Sequence, residues 1–284
     1  MTVVPSPSQQ VSYEQNLRRR YGVIAFAAGI FVVISLLIQE VGYHNSLTEE
    51  TVQLITIHKR FPLDILGAVL DAAGLLLTGY ALWWLNSISL ARDPRISPIT
   101  RYLVLLGAPL MAVLEVITIV IYSIKANSFV HGTNLGYPAA YTLIHPVAVV
   151  LGICSLAEEL GALLLAAGFI WTALNAMRVG LLPRPLGYAG VLAGALIIFA
   201  IGPISFVVQG AWLVAAGVLI SGRWPNDPPA WREGIAIPWL PGGKPNYEAA
   251  EAVGASAEAE GEVRAPSAQR PADYTPRKRK KKKR

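Results

Sequence analysis

The chain has 284 residues, of which 54% are hydrophobic and 15% are charged, whereas about 25% of the residues in an ordinary soluble domain are charged. Its net charge of +6 comes from the last eight residues, which are all Lys or Arg and leave 16 basic against 18 acidic residues in the remainder. With Cys154 as the one cysteine, the composition excludes a disulfide-stapled domain and a soluble globular enzyme, and it predicts a multispanning membrane protein.

Six apolar segments of the chain are interpreted as membrane spans, because about 20 apolar residues cross a hydrocarbon core of ~30 Å. The stretch from residue 186 to residue 221 would form a helix of about 54 Å, so Gly202-Pro203 is predicted to split it into two spans. We therefore expect an all-α polytopic bundle of six transmembrane helices, with spans at about 22–38, 62–88, 102–124, 146–175, 186–201 and 204–221.

Basic residues are unevenly distributed over the loops that this count defines. The side that holds both termini carries ten arginines between Arg18 and Arg232, whereas the other side carries Lys59, Arg60 and Lys125. By the positive-inside rule, both termini are predicted to be cytoplasmic and the protein to lie in the plasma membrane.

The regions outside the spans are predicted from their composition. Residues 1–17 are expected to be a disordered cytoplasmic N-terminus before a transmembrane domain at 18–222. In the outer loop at 41–61, Leu54, Ile57 and Phe61 fall on one helical face, which predicts an interfacial helix. Residues 223–245 are rich in Trp and Pro and are expected to lie at the headgroup level. Residues 246–284 have few apolar side chains and are predicted to be a disordered tail.

Carboxylic acids inside the apolar spans are the most informative residues for function. The predicted midplane acidic site consists of Asp71, Glu115, Glu158 and Glu159, and its accessory residues are Asp64, Thr78 and Ser155. A carboxylate at that depth costs ~2.5–3.5 kcal/mol on insertion scales, so we expect these acids to face the bundle interior. Small side chains at helical spacing flank Glu159, which places it on the inner face and Glu158 at the edge of that face.

Two functional classes follow from this pattern. Because the spans contain no Lys or Arg, the acids must hold protons or bind a cation. A proton- or cation-linked transporter or channel-like protein requires such groups, whereas protonated acids that hydrogen-bond to backbone or hydroxyl groups between helices would have a structural role alone. The alternative is a non-catalytic membrane subunit or regulator that binds a partner protein, or a second copy of itself, through helix faces and the Trp-rich segment. The first class predicts a water-accessible cavity that reaches the acids, and the second predicts a dry, closed bundle.

Chemistry other than acid chemistry has little support in the sequence. His44, His58, His131 and His145 all fall on the predicted outer side, and imidazole is a common zinc ligand, but no pair has helical spacing and no metal site is predicted. No nucleophile arrangement, glycine-rich phosphate loop or cysteine cluster suggests an enzyme, and no cofactor is expected.

The basic block at the end of the chain is predicted to bind anionic lipid headgroups, not nucleic acid. Acidic headgroups contribute ~1 kcal/mol for each basic residue near the cytoplasmic surface. The residues concerned are Arg277, Lys278, Arg279, Lys280, Lys281, Lys282, Lys283 and Arg284.

One region is similar to a known family. Residues 176–187 read AMRVGLLPRPLG, and GRWP at 222–225 and PPAW at 228–231 follow. These motifs resemble an uncharacterised family of actinobacterial six-span integral membrane proteins with a domain of unknown function. The resemblance is most specific over residues 176–240. It implies an integral plasma membrane protein and carries no catalytic residue onto this sequence.

Overall fold

The computed structural model describes residues 7–40, 50–199 and 202–248. Its helices are α1 (Pro7–Glu40), α2 (Glu50–Arg92), α3 (Ile99–Val130), α4 (Tyr137–Arg178), α5 (Arg184–Phe199), α6 (Pro203–Ile220) and the single turn α7 (Ala230–Glu233). Within these ranges the chain forms no β-strand, apart from one isolated bridge between Trp239 and Pro245. The prediction of an all-α bundle is therefore confirmed.

The first four predicted spans lie within α1 to α4, and the last two begin inside α5 and α6 but reach past Phe199 and Ile220, the last residues of those helices. Five helices are long and apolar enough to cross a membrane. These five are α1, α2, α3, α4 and α6. Helix α5 has 16 residues and is about 24 Å long, which is shorter than a hydrocarbon core of ~30 Å. The length and composition of the helices thus support a membrane-embedded bundle.

Helices α1 to α6 form a ring in chain order. Each helix contacts the next along the chain, and α6 returns to contact α1. The closing contact depends on glycine, because a Cβ atom at Gly217 would lie 2.7 Å from the carbonyl oxygen of Gly22 and 2.7 Å from the amide nitrogen of Phe26. Small residues allow helix backbones to approach this closely where lipid surrounds the bundle.

The helices extend beyond the predicted spans, and this corrects two expectations. Residues 7–17 are helical, not disordered, because Glu14 in this first part of α1 pairs with Arg92 at the end of α2. The interfacial helix predicted before the second span is the first part of α2, which continues through Pro62. Leu54 and Ile57 are buried against Phe129 of α3, whereas Phe61 is 48% exposed.

The Trp-rich segment, residues 223–245, folds over one end of the bundle, and we call it the strap. Trp231 is 1% exposed and belongs to the main hydrophobic core. Its indole Nε1 donates to the carbonyl oxygen of Leu181 (2.9 Å), and Nε1 of Trp239 donates to that of Leu182 (2.8 Å). The expected headgroup position therefore does not describe Trp231, because its indole is satisfied inside the protein.

The strap end of the bundle is the end at which α2 finishes and α3 begins, and the opposite end is called the cavity end. Two predictions concern residues outside those that the structure describes. One involves His44 in the predicted outer loop, and the other involves almost all of the predicted disordered tail at 246–284. The predicted lipid-binding block Arg277, Lys278, Arg279, Lys280, Lys281, Lys282, Lys283 and Arg284 also lies outside them.

Candidate acid-lined cavity

A cavity of about 350 Å³ lies in the middle of the helix ring, and all six long helices contribute to its wall. We call it the acid cavity. Its remaining wall is formed by apolar side chains and its polar residues are Gln39, Asp71, Glu115, Ser155, Glu158, Glu159, Ser205 and Gln209. Because Ser155 and Glu159 are exposed, the cavity is not sealed inside the bundle.

A second cavity of about 350 Å³ continues from the acid cavity, and we call it the vestibule. Gln39, Glu115 and Glu158 line both cavities. The vestibule also contacts Asp64 and Tyr122, which lie two helical turns from Asp71 and Glu115 towards the cavity end. The two cavities therefore adjoin at these three shared residues, and the vestibule lies towards the cavity end.

Three of the predicted acids come together in this space. The carboxyl groups of Asp71 and Glu115 lie within hydrogen-bonding reach of each other, and the Ser35 hydroxyl donates to Oδ1 of Asp71 (2.9 Å). Glu158 is close enough to interact electrostatically with both acids. A hydrogen bond between two carboxyl groups needs a proton on one of them, because an ionised carboxylate only accepts.

The two glutamates of α4 exchange the places that we expected for them. Glu158 is half-buried near Asp71 and Glu115, whereas Glu159 is exposed at the edge of the cavity. The reason is that α4 packs against α3 through Gly161, where a Cβ atom would be 2.9 Å from Met111, and not through Gly152, which has nothing within 4 Å. Glu158 is on the same side of α4 as Gly161 and is turned inwards with it.

Asp64 does not belong to the group of unpaired acids. Its Oδ1 accepts from Nε of Arg60 at 3.0 Å, and Arg60 also donates to the carbonyl oxygen of Ile38 (2.9 Å). Arg60 was counted as a residue of the outer loop, and the helical extension of α2 brings it one turn from Asp64. This ion pair lies at the vestibule, so the negative charge of Asp64 is balanced locally.

The other predicted accessory residues differ in their positions. Ser155 lines the acid cavity. Thr78 is fully buried, but its hydroxyl donates to the carbonyl oxygen of Gly74 in its own helix (2.8 Å). It is absent from the cavity wall because this internal bond turns it towards the helix backbone.

Four polar residues of the site were not predicted from the sequence: Ser35, Gln39, Ser205 and Gln209. Ser205 and Gln209 are 6% and 5% exposed and line the acid cavity from α6. Among the described residues, neither Oγ of Ser205 nor Nε2 of Gln209 has a hydrogen-bond partner. Gln209 carries the one side-chain amide in the span 204–221, and that was the signal that could have identified it.

The strap end of the bundle is closed beneath the cavity. Leu165 forms part of the cavity wall, and beyond it Phe169, Leu82 and Leu213 are at most 1% exposed and belong to one continuous core. Trp231 of the strap closes the same core from outside. A packed apolar core therefore separates the acids from the strap end.

The histidines of the described residues do not form a metal site. The rings of His58 and His131 lie 5.7 Å apart in an edge-to-face arrangement, and His145 contacts the ring of Tyr141 at 5.0 Å. No group of three or more His, Cys, Asp or Glu side chains in the described part of the chain could hold a metal ion.

No protein-family model, curated protein or solved structure matches this chain. The functional argument therefore depends on the geometry of the acid cavity.

Proposed function

We propose that this protein is a carrier that loads a proton or another cation into the acid cavity from the cavity end of the bundle. The observation that carries the proposal is the cavity itself: acids from three helices, Asp71, Glu115 and Glu158, line one open space. The transporter class predicts a water-accessible cavity, and the partner-binding class predicts a dry, closed bundle. The open space beside these acids favours the transporter class.

The charge balance of the cavity supports cation loading. Within the described residues, no basic side chain lines the acid cavity, and Arg60 at the vestibule is paired with Asp64. Buried carboxylates without a basic partner must be neutralised, because an isolated charge in an apolar interior is very costly. A proton shared by Asp71 and Glu115 would neutralise one acid of the pair, and an incoming cation would replace it.

A closed strap end supports a carrier in preference to a channel. A channel needs a continuous aqueous path, whereas Phe169 and Leu213 belong to a dry core on the strap side of the acids. A carrier exposes its site to one side at a time, and a conformation open at the cavity end is one of its two states.

Proton movement into vesicles tests the proposal. Purified protein is reconstituted into liposomes that contain a pH-sensitive dye, and a pH gradient is imposed across the membrane. We expect the wild-type protein to dissipate the gradient, and Glu115→Gln or Asp71→Asn to remove this activity because the shared proton loses its site.

The control variant is Glu233→Gln, which makes the same chemical change at an exposed position of the strap. It should transport protons like the wild type. Equal activity in Glu115→Gln and Glu233→Gln, with both proteins folded, would contradict the assignment of the acids.

We further propose six crossings in the plasma membrane, with both termini in the cytoplasm and the cavity end outside. The support is the uneven distribution of the arginines between the two sides of the membrane. This distribution is counted with the short helix α5 as the fifth crossing. A reporter fused after Arg284 should be active only on the cytoplasmic side, and activity on the outside would refute this topology.

We also propose that the basic block at residues 277–284 binds anionic lipid headgroups. A peptide with these eight residues should sediment with vesicles that contain anionic lipid and not with neutral vesicles. Equal sedimentation with both would refute it.

The alternative of a partner-binding subunit is weakened at two of the three tryptophans of the strap. Trp231 and Trp239 make their hydrogen bonds within this chain, so those indoles are not free to recognise a partner. The alternative also depends on the outer face of α4, where Val149 and Leu156 are 73% and 69% exposed. Lipid chains cover such a face as well as a partner helix does, so this face alone does not favour the alternative.

A further inference from the structure

The α6 wall of the acid cavity offers hydrogen-bonding groups that nothing in the described residues uses. Ser205 and Gln209 are more than nine-tenths buried, and Oγ of Ser205 and Nε2 of Gln209 have no partner. No protein group among the described residues supplies an acceptor for this amide, so water or a ligand in the cavity has to supply it. A side chain kept in this state at a cavity wall is suited to a ligand that supplies the missing acceptor.

The acids and these unused groups lie on different helices of the ring. Asp71, Glu115 and Glu158 are on α2, α3 and α4, whereas Gln209 is on α6. Met111, Leu196 and Phe206 contribute apolar side chains to the wall of the same cavity. The wall therefore combines carboxyl, apolar and amide groups that come from different helices.

The cavity is too large and too apolar for a bare metal ion. Its volume is about 350 Å³, which is at the lower end of the range for small-molecule sites, ~300–1,000 Å³. In the part of the chain that the structure describes, the acids do not converge closely enough to hold a metal ion. A molecule with an apolar body fits this wall better than an ion that demands several oxygen ligands at one point.

We propose that the cargo of the acid cavity is an amphiphilic organic amine in its cationic form. Its ammonium group binds between Glu115 and Glu158, its apolar body contacts Met111 and Phe206, and a hydrogen-bond acceptor at its other end accepts from Nε2 of Gln209. This assignment rests on the proposed function, in which the cavity acids load a cation.

Three matched probes test each part of this assignment with the full-length protein in lipid nanodiscs. para-Methoxyphenethylamine has the ammonium group, the ring and the acceptor oxygen. Phenethylamine lacks the methoxy oxygen, and para-ethylanisole lacks the ammonium group. Binding of each probe is measured by equilibrium dialysis against empty nanodiscs, which corrects for partition into the lipid.

We expect para-methoxyphenethylamine to bind most tightly. Removal of its charge should weaken binding by about tenfold or more, because a charge-assisted contact is lost. Removal of its methoxy oxygen should weaken binding by about threefold to tenfold, as one neutral hydrogen bond predicts.

Variants connect these differences to the named residues. Glu158→Gln should weaken the binding of both amines by about tenfold or more, and Glu233→Gln should leave it unchanged. Gln209→Leu should remove the preference for the methoxy compound while phenethylamine still binds, a difference that misfolding would not produce.

Two results would overturn the proposal: equal affinity for the amine and for para-ethylanisole, or no binding of either amine. If neither amine binds while the vesicle assay still shows proton movement that depends on Glu115, the amine assignment fails and the proposed function stands. If that proton movement is also absent, the proposed function itself fails.

Discussion

The strap end of this bundle and the acid cavity treat buried charge in opposite ways. At the strap end, Arg92 and Glu14 form a pair with side chains 0% and 1% exposed, and both nitrogen–oxygen contacts are short (2.7 and 2.6 Å). In the acid cavity, Asp71, Glu115 and Glu158 lie near one another, and no basic side chain is among the described residues that line the cavity. Paired charge in a dry core fixes a structure, whereas unpaired charge beside a cavity is available to a ligand.

A second pair strengthens the strap end. Arg18 makes a two-pronged contact with Asp227 of the strap (3.0 and 2.7 Å) and donates through Nε to the carbonyl oxygen of Ile220 (2.9 Å). The guanidinium groups of Arg18 and Arg92 lie 4.3 and 5.5 Å from the ring of Trp231, within the range of cation–π attraction. The strap is therefore fastened by charge and by aromatic contacts together.

The largest effect is expected where a paired charge loses its partner. Arg92→Met leaves Glu14 buried without a counter-charge, and removal of one partner of a buried pair costs about 3–5 kcal/mol. Detergent titration of the unfolding equilibrium measures this loss. The double variant Glu14→Leu with Arg92→Met should recover most of it, and a double variant as unstable as the single one would argue against the pair.

A smaller effect is expected where helices touch. Gly217→Ala places a methyl group 2.7 Å from backbone atoms of α1, and we expect a destabilisation of about 1–3 kcal/mol from overpacking. Gly152→Ala is the matched control at the cavity end, where nothing lies within 4 Å, and it should be neutral or stabilising by up to ~1 kcal/mol. The same unfolding titration compares them, and equal losses would mean that the two ends are packed alike.

The smallest effect on stability is expected at the acids. Asp71→Asn and Glu158→Gln remove a charge and retain the shape of the side chain, so we expect changes within about 1 kcal/mol, as for one neutral hydrogen bond. Thermal unfolding in detergent checks this for each variant. A loss as large as that of Arg92→Met would show that the acids hold the bundle together instead of serving a ligand.

The sequence predicted what depends on local pattern. Apolar runs located all six long helices, and the cost of a buried carboxylate identified Asp71 and Glu115 as inward-facing residues. The order of Glu158 and Glu159 could not be obtained in this way, because it depends on the contact of Gly161 with Met111 in another helix. One residue of rotation on α4 changes which acid faces inwards.

The strap end was the least predictable part of the molecule. Arg92 was counted as a loop charge, yet it pairs with Glu14, which lies 78 positions earlier in the chain. Trp231 suited a lipid headgroup by its type and its proline neighbours, but Leu181 supplies the acceptor for its indole 50 positions away. Neither partnership has a local signature, so only the fold reveals them.

Thiol labelling along α6 tests most directly the division into a water-accessible half and a dry half. In a Cys154→Ala background, cysteine replaces either Ser205 in the cavity wall or Ala216, which is three helical turns further on the same face and 1% exposed. We predict that a membrane-impermeant thiol reagent modifies the Ser205→Cys protein and leaves the Ala216→Cys protein unmodified. Modification of both proteins, or of neither, would contradict the account.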